Sequence, residues 1–429
     1  MADRPGLLLV GGAADRQDLG VRCIRQAQAR GLRVIVTDDP DGLAASSRAV
    51  AAADAVVPLD RRDVEGTVAW ARAHARAHRL VGVYCFREYA VLTTAAVADA
   101  LGLPGNPPAV VADIRDKYRC RERLRARGFP QPAAAICDSI AAGLAFVRAH
   151  PPGPWIVKPP DARGSLGVSR VDRPAELAAA HRWLPAEHRG RFLVECFQAG
   201  REYSAEGVFL DGRPRVLAVT EKHLIDGSFV ELGHIMPAPL PAAAATGAAG
   251  TVERAVTALG LRYGQFHVEL WRAEDGHGGH RVVLGEVHNR PGGDFLHLLT
   301  EVVTGVEAHG VVFDQLLGRP VALEHARPRA AAAASYHPVL PPGRLAAAPR
   351  LAEVESDPAL VGPQIDIRAG DLVRPLRESA DRPVCVAGTG RDPADAWITT
   401  LGLAHRLGMR VVPAQRPAAN RRTERSAHA

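Results

Sequence analysis

Two glutamates, Glu269 and Glu286, lie inside apolar segments and could share a cation. The segments are FHVELW (266–271) and VVLGEVHNRPGGDF (282–295), joined by the turn EDGHGGH, and the glutamates are 17 residues apart. If the segments pair as antiparallel strands, the two carboxylates lie side by side, where like charges raise a pKa or call for a cation. Mg²⁺ suits such a pair, because it takes oxygen ligands from carboxylates and substrate phosphates. A surface hairpin with alternating charges is the alternative, and the apolar flanks of both strands argue against it.

A second group of residues could bind phosphate. In WIVKPPDARGSLGVSRV (155–171) an apolar strand ends at Lys158 and a loop of small residues follows at 163–167, including Gly164 and Ser165. Small residues let backbone N–H groups approach a phosphate closely, and a lysine beside them adds a point charge. An ordinary hairpin remains the alternative. The pattern GxxxxGK[ST] occurs nowhere, so the loop is not a P-loop.

A third segment, FLVECFQAGREYSAEGVF (192–209), carries two acids at the edges of apolar strands. Glu195 comes near the end of the first strand and Glu202 opens the next. Carboxylates in such positions can accept hydrogen bonds from an adenine amino group or from ribose hydroxyls. Two solvated edge glutamates are the alternative.

Lysine is rare in this chain. Of 53 Lys and Arg residues only Lys117, Lys158 and Lys222 are lysines. Where arginine replaces lysine almost everywhere, a remaining lysine indicates a site that needs a compact ammonium group. For Lys222 two interpretations stay open, a contact with phosphate or a substrate carboxylate, and a plain surface lysine.

The elements that must position these residues follow from the apolar runs. Runs at 6–10, 32–37, 55–60 and 80–86 alternate with helical segments and predict a doubly wound parallel sheet over 1–105. The turn after the first run, GGAADRQDLG, lacks GxGxxG, so no dinucleotide site is predicted. A Gly/Pro-rich linker at 102–109 and a helix over 113–128 come next, followed by strands that alternate with turns and two helices to about residue 305.

Composition excludes several classes of protein. A hydrophobic fraction of 47% and a charged fraction of 23% indicate a globular chain, and 45.6 kDa indicates two or three domains. The sequence has no run of about 18 apolar residues, so no membrane span is predicted. The six scattered cysteines suit the reducing cytoplasm, which is the predicted location. The net charge is +6, but arginines are interspersed with acids, so no nucleic-acid partner is expected.

The three segments, in this order, resemble the ATP-grasp superfamily. Within it the chain is most similar to the amino-acid ligases that form dipeptides, on TEKHLIDGSFVELGHIMPAPL (220–240), the acidic pair, the motif resembling E-x-N-x-R-x-G-G, and VCVAGTGRDPADAWITTLGLA near the end. The resemblance implies an α/β ATP-grasp fold with a doubly wound N-terminal domain, two α+β lobes that clamp ATP, and a small C-terminal lobe. The implied parts are an N-terminal domain over 1–105, an ATP-grasp domain over 106–310 with its smaller lobe at about 120–193, and a C-terminal lobe over 311–412. The last 17 residues, 413–429, are polar and contain Pro and Arg, which predicts a disordered tail.

The resemblance also assigns roles to residues. It implies ATP binding by Lys117, Lys158, Gly164, Ser165, Glu195, Phe197 and Glu202. It implies Mg²⁺ or Mn²⁺ binding by Glu269 and Glu286 with His288 at the third position, and catalysis by Arg290, Lys158 and Lys222. It places Glu231, His234, Gly292, Gly293 and Asp294 beside the substrates.

Two positions depart from the family pattern. His288 stands where Asn usually supplies a metal ligand, and Asn289 follows it. Either Asn289 takes that role through a local shift, or His288 contacts phosphate and the metal ions rest on the two glutamates, which we favour because imidazole suits Mg²⁺ poorly. Asp294 is the second departure, and an acid there is expected to favour a cationic or amine-bearing substrate group.

The activity implied by the resemblance is amide-bond formation through an acyl phosphate, with small-molecule carboxylate and amine substrates, an amino acid among them. ADP and phosphate leave, and the 163–167 loop is the expected lid. A homodimer is the common state of the family. The alternatives are a carboxylase-like or purine-biosynthesis enzyme of the same superfamily, and an ATP-binding regulatory module without turnover.

Overall fold

The computed structural model describes residues 4–274 and 279–413, and it begins with a four-stranded parallel sheet flanked by helices. Its elements are β1 (Gly6–Val10), α1 (Leu19–Ala29), β2 (Arg33–Asp38), α2 (Pro40–Ala44), α3 (Ser47–Ala52), β3 (Ala55–Pro58), α4 (Val64–His78), β4 (Leu80–Tyr84) and α5 (Val91–Leu101). The strand order is β3-β2-β1-β4. The order reverses direction between β1 and β4, which leaves a crevice at the carboxyl ends of these two strands.

Two helices follow, where the sequence predicted one. They are α6 (Pro108–Arg115) and α7 (Lys117–Ala126), so the single helix predicted over 113–128 is wrong. Asp116 breaks it with a non-helical backbone, and its carboxylate accepts a hydrogen bond from the N–H of Arg119 at 3.0 Å as an N-cap. The break places Lys117 in the first turn of α7.

A small antiparallel sheet forms the next unit, in the order β5-β8-β6-β7. Its elements are β5 (Ala134–Cys137), α8 (Ile140–Ala149), β6 (Trp155–Lys158), β7 (Ser169–Val171), α9 (Leu177–Trp183) and β8 (Phe192–Cys196). Trp155 and Val157 pack into the core beneath the helices. Ile156 and Lys158, on the opposite face of the same strand, line a cleft.

An eight-stranded antiparallel sheet faces this small sheet across the cleft. The elements from residue 201 onward are β9 (Arg201–Leu210), β10 (Arg213–Leu224), β11 (Glu231–Met236), α10 (Ala242–Leu259), β12 (Gln265–Glu274), β13 (His280–His288), α11 (Leu296–Thr304), α12 (Ala308–Leu316), β14 (Ala332–Tyr336), β15 (Gly343–Leu345), β16 (Leu360–Ile365), β17 (Leu372–Val373), β18 (Val384–Gly390), α13 (Pro393–Arg406) and β19 (Val411–Val412), and eight of these strands form the sheet. The order is β13-β12-β9-β10-β11-β14-β18-β16. Strands β14, β16 and β18 lie beyond residue 310 and extend this sheet. The sheet therefore crosses the domain boundary that was expected at residue 310.

The remaining short strands, β15, β17 and β19, form a separate three-stranded sheet in the order β17-β15-β19. The tail expected over 413–429 lies outside the described residues apart from Pro413. All six cysteines are free thiols. No helix of the described residues is long and apolar enough to cross a membrane.

Candidate active site

A cleft open to solvent lies between the small sheet and the eight-stranded sheet. It gathers most of the residues that the sequence singled out: Lys117, Lys158, Gly164, Ser165, Glu195, Phe197, Glu202, Lys222, Glu231, Glu269 and Glu286. The other predicted residues do not line it directly: His234, His288, Arg290, Gly292, Gly293 and Asp294.

Glu269 and Glu286 share the cleft because β12 and β13 pair as antiparallel strands, with a bulge beside the two acids. Continued from the pairs His267–His288 and Val268–Val287, the ladder sets Glu286 opposite Glu269, and opposite residues of an antiparallel pair point to the same face. Leu270 pairs with Leu284, so Glu269 opposes the two residues Gly285 and Glu286. The extra residue shifts the register beyond this point, which lets Leu284 pack in the core together with Val287. A Cβ at Gly285 would lie 3.1 Å from the Glu269 Cβ, so the bulge favours glycine.

Three lysines hold these carboxylates in their charged form. Lys117 Nζ lies 3.2 Å from Glu286 Oε2, and Lys158 Nζ lies 3.7 Å from Glu286 Oε1. Lys222 Nζ lies 3.2 Å from Glu269 Oε1. Burial would raise the pKa of both glutamates, but the lysines and neighbouring histidines lower it well below the ordinary range.

Lys222 is a buried lysine, which excludes the plain surface alternative. Its side chain is 8% exposed, and its Nζ also lies 3.3 Å from Glu202 and 3.8 Å from Glu231. Burial would lower its pKa, but the three surrounding glutamates raise it well above the ordinary value. The group therefore keeps its proton and carries a full charge into the cleft.

The donor set suits a divalent cation that takes part of its shell from a nucleotide. Among the described residues, no group of three or more His, Cys, Asp or Glu side chains is arranged to hold a metal ion unaided. Glu269 and Glu286 instead face open space in the cleft, with side chains 24% and 22% exposed. Two carboxylates with room for phosphate oxygens and water are what Mg²⁺ uses in nucleotide sites.

Glu195 anchors one of the lysines at the opposite wall. Its carboxylate lies 2.8 Å from Lys158 Nζ and accepts hydrogen bonds from Arg121 Nε and Nη2 at 2.6 and 3.2 Å. Burial would raise its pKa, but Arg121 and Lys158 lower it. Both carboxylate oxygens are therefore engaged by the protein.

The segment after Glu195 presents a free backbone donor. The N–H groups of Cys196 and of Phe197, which was expected to bind ATP, already donate to the carbonyls of Ala133 and Pro154 at 2.8 and 3.0 Å. Among the described residues, the N–H of Gln198 has no such partner, and Gln198 lines the cleft. The available donor therefore lies one residue later than the sequence suggested.

The loop between β6 and β7 covers the cleft as the expected lid. Gly164 and Ser165 both have positive φ, +65° and +59°, a conformation that is uncommon for serine. Ser165 Oγ donates to the carbonyl of Phe229 at 2.7 Å, and the Gly164 carbonyl accepts from the N–H of Ser379 at 2.9 Å. These two bonds fasten the loop to the opposite wall.

Glu88, from the turn after β4, organises the end of the cleft near Glu286. It accepts from Arg290 Nε at 2.5 Å and lies 3.0 Å from His288 Nδ1 and from Arg115. Burial would raise its pKa, but Arg290 and these neighbours lower it well below the usual range. His288 Nε2 is 3.5 Å from Glu286, so this histidine stays close to the acidic pair. Asn289 instead lines a separate small cavity, which counts against its taking the metal-ligand role.

Glu231 and His234 lie on strand β11. Residues three apart on a regular strand face opposite sides, but Leu224 pairs with Glu231 while His223 pairs with Gly233. This bulge turns Glu231 to the same face as His234. The extra residue, Leu232, thereby directs the Glu231 carboxylate into the cleft.

The charge of the Asp294 carboxylate is neutralised by side chains of the protein itself, which corrects the expectation that Asp294 selects a cationic substrate. Arg382 binds both of its oxygens, at 2.8 and 3.0 Å, and His234 and His337 lie within 3.4 Å. Burial would raise its pKa, but Arg382 and the histidines lower it well below the usual range. Arg382 also donates to the Glu231 carbonyl at 2.8 Å, so it joins the two acids.

The neighbouring glycines play different parts. A Cβ at Gly292 would meet His267 Nδ1 at 2.9 Å, so this glycine permits close packing, whereas a Cβ at Gly293 would meet open space.

Sequence reasoning missed Arg121, Glu88 and Arg382. Arg121 follows Lys117 by four residues on α7, a spacing that puts both on one helix face and could have identified it. Glu88 could have been found from its place just after a parallel strand. No local signal marks Arg382, whose partner Asp294 is 88 residues away.

Comparisons with known proteins identify relatives of this chain. Three families match parts of the chain: the ATP-grasp N-terminal domain over 24–105, the ATP-grasp domain over 152–294, and the L-amino acid ligase C-terminal domain 2 over 337–422. The D-alanine–D-alanine ligase of Caulobacter sp. strain K31 is 30% identical over 235 residues, which cover 52% of this chain and 69% of that protein. Carnosine synthase 1 of Gallus gallus is 29% identical over 425 residues, covering 89% of this chain and 43% of that protein.

The L-amino acid ligase from Bacillus licheniformis has a similar solved structure. The TM-score is 0.77 at 23% identity, and the match covers 96% of this chain and 99% of that chain. At this sequence identity, the structural similarity shows the fold alone. Together with the family matches it confirms the mixed α/β fold class expected from the three motif segments.

Proposed function

The chain belongs to the ATP-grasp family, and on that premise we propose that it phosphorylates a small-molecule carboxylate with ATP and joins it to the amine of a second small molecule, an amino acid being one of the two. It is an ATP-dependent ligase that forms C–N bonds. D-alanine–D-alanine ligase and carnosine synthase 1 are among its relatives, and their names support an amino-acid substrate.

One observation carries this proposal. The three lysines of the chain all line one cleft, and each lies within 3.8 Å of a glutamate that faces the same space. Of the 53 Lys and Arg residues, only three are lysines, and all three line this cleft. We infer that the cleft needs compact ammonium groups, which guanidinium groups cannot replace. A triphosphate beside two carboxylates is the ligand that this arrangement suits.

The proposed chemistry has two steps. A carboxylate oxygen of the first substrate attacks the γ-phosphorus of ATP, and ADP leaves, which gives an acyl phosphate. The amine then attacks the acyl carbon, phosphate leaves, and the amine gives up a proton. Both anions must be neutralised in the first step, so catalysis is mainly positioning and electrostatic stabilisation.

The residues of this chain supply that stabilisation. We assign Lys117 and Lys158 to the phosphates, Lys222 to the transferred group or the carboxylate, and Glu202 to the ribose. Glu269 and Glu286, with His288 beside them, would hold Mg²⁺ or Mn²⁺, and when bound such an ion neutralises phosphate charge. Arg290, oriented by Glu88, would face the acyl phosphate.

Water must be excluded, because it would hydrolyse the acyl phosphate. The bonds from Ser165 to Phe229 and from Ser379 to Gly164 hold the lid down over the cleft. We assign the amino-acid substrate to the space beside Glu231, whose carboxylate is fixed by Ser379 Oγ at 2.8 Å.

The test is ADP and phosphate release from ATP across a panel of amino-acid pairs, with products identified by mass spectrometry. At least one pair should stimulate release and give the matching amide. Glu286→Ala should abolish Mg²⁺-dependent turnover, whereas Glu355→Ala, at an exposed glutamate far from the cleft, should not. ATP binding without stimulation by any pair would contradict the ligase assignment, and near-normal activity of Glu286→Ala would contradict the metal assignment.

We further propose the domain boundaries given above, a cytoplasmic location and a homodimer. Limited proteolysis with mass mapping tests the boundaries, cell fractionation tests the location, and light scattering coupled to size-exclusion chromatography tests the dimer.

A further inference from the structure

Three guanidinium groups surround the ring of Tyr89, in the turn after β4. The guanidinium carbons lie 4.1 Å from the ring centroid for Arg62, 5.0 Å for Arg115 and 5.0 Å for Arg163. They come from the N-terminal sheet region, from α6 and from the lid loop, so three separate parts of the chain bring positive charge to one ring. Each cation is attracted to the ring, but the three repel one another.

Two of these cations lack a counter-ion. Arg115 pairs with Glu88 at 3.0 Å. Among the described residues, Arg62 and Arg163 have no acidic partner, and both side chains are exposed. A fourth guanidinium, Arg87, is close by and shares the buried Asp38 with Arg61. Burial lowers the pKa of Arg87, and the nearby charges of Arg61 and Arg163 lower it further.

The cluster stands at the one place in the N-terminal sheet where topology opens a crevice. Tyr89 follows β4, and Gly11 follows β1, the two strands between which the sheet changes direction. Ligands of open α/β sheets bind at the carboxyl ends of such strands. Gly11 has a φ of +66°, and a Cβ there would come within 3.3 Å of the Arg61 side chain, so backbone and arginines meet closely. Arg163 also lines the main cleft, so the cluster borders that cleft.

We propose that this crevice binds a doubly negative group on the amine substrate, a phosphate monoester or a pair of carboxylates, held by Arg62, Arg87 and Arg163. The inference rests on the proposed function, since it concerns that ligase's second substrate. Two unpaired guanidiniums match a dianion in charge, and their planar forks bind phosphate or carboxylate with two hydrogen bonds each. Because Arg163 belongs to the lid, such a substrate would also help to draw the lid closed.

The test measures binding of O-phospho-L-serine, L-aspartate and L-alanine by calorimetry to the full chain saturated with Mg²⁺ and a non-hydrolysable ATP analogue. The analogue fills the triphosphate site, so that a dianion cannot bind there. We expect O-phospho-L-serine or L-aspartate to bind at least about tenfold more tightly than L-alanine, and the tighter of the two identifies the source of the charge. Arg62→Gln and Arg163→Gln should each weaken that binding roughly tenfold, as loss of a charge-assisted hydrogen bond does. Arg72→Gln, at an exposed arginine of α4, should leave it unchanged.

Equal affinity for the three compounds, or unchanged binding in both variants, would overturn the proposal. So would variants that raise the KM for ATP and leave dianion binding intact, since the arginines would then serve the triphosphate. The turnover panel separates this inference from the ligase assignment: if dianions bind as expected but no amine stimulates phosphate release, the anion site stands and the ligase assignment fails.

Discussion

Replacing Lys158 by Arg keeps the charge and should nevertheless remove most of the ligase activity. Lys158 is 7% exposed, its Nζ lies 2.8 Å from Glu195, and Arg121 occupies the other side of that glutamate. A planar guanidinium is larger than an ammonium, so it must displace Arg121 or protrude into the space that the triphosphate needs. Overpacking of this kind costs about 1–3 kcal/mol, and loss of one charge-assisted contact to phosphate costs about 1.5–3 kcal/mol.

Loss of the phosphate contact alone, at about 1.5–3 kcal/mol, corresponds to a decrease in kcat/KM for ATP of roughly 10- to 150-fold, and overpacking adds to it. Lys117→Arg should behave similarly, because its ammonium lies 3.2 Å from Glu286. Phosphate release against ATP concentration gives the effect, and a thermal unfolding curve shows whether each variant is folded. Arg119→Lys, the reverse exchange at an exposed position of α7, is the matched control and should match the wild type. If both Arg variants keep wild-type kcat/KM, the lysines are not required as compact ammonium groups.

Two further perturbations test other parts of the site. Arg382→Ala leaves the buried Asp294 without its main counter-ion and should lower the free energy of unfolding by about 3–5 kcal/mol in urea titrations, with Arg382→Lys losing less. The pKa of His267 is raised to about 9 by Glu206 against the opposing effect of burial, so its contribution to stability is complete below pH 6.5 and is lost as pH rises through about 9. That loss should amount to about 3 kcal/mol between these limits and should be absent in His267→Gln; parallel stability curves for the two proteins would refute it.

The strands and charged residues of the cleft were predictable because their signals are local. Glu269 and Glu286 are single acids inside apolar strands, Lys117 and Lys158 belong to a residue type that is rare in this chain, and Lys158 ends an apolar strand. The parallel sheet of the N-terminal part follows from buried apolar runs separated by helices, and the structure has that sheet.

What the sequence did not reveal depends on register and on distant partners. The bulge after Glu231 decides which face that acid occupies, and it does not change the hydrophobic pattern. The Glu88 to Arg290 pair spans 202 residues of chain, so only the folded structure brings it together. The acid at position 294 led to a wrong expectation of a cationic substrate. Its counter-ion, Arg382, comes from a segment that no sequence pattern marks.

The balance of charge in the cleft bears on the proposed metal requirement. Among the described residues that line it, five glutamates face four cationic side chains: Glu195, Glu202, Glu231, Glu269 and Glu286 against Lys117, Lys158, Arg163 and Lys222. Every one of these lysines already lies within 3.8 Å of a glutamate, so the protein has matched its own cations before a nucleotide arrives. A triphosphate alone would therefore meet lysines whose field is largely cancelled. A divalent cation on Glu269 and Glu286 would take over those carboxylates and leave the ammonium groups for phosphate oxygens, which is why we infer that the metal precedes or accompanies ATP.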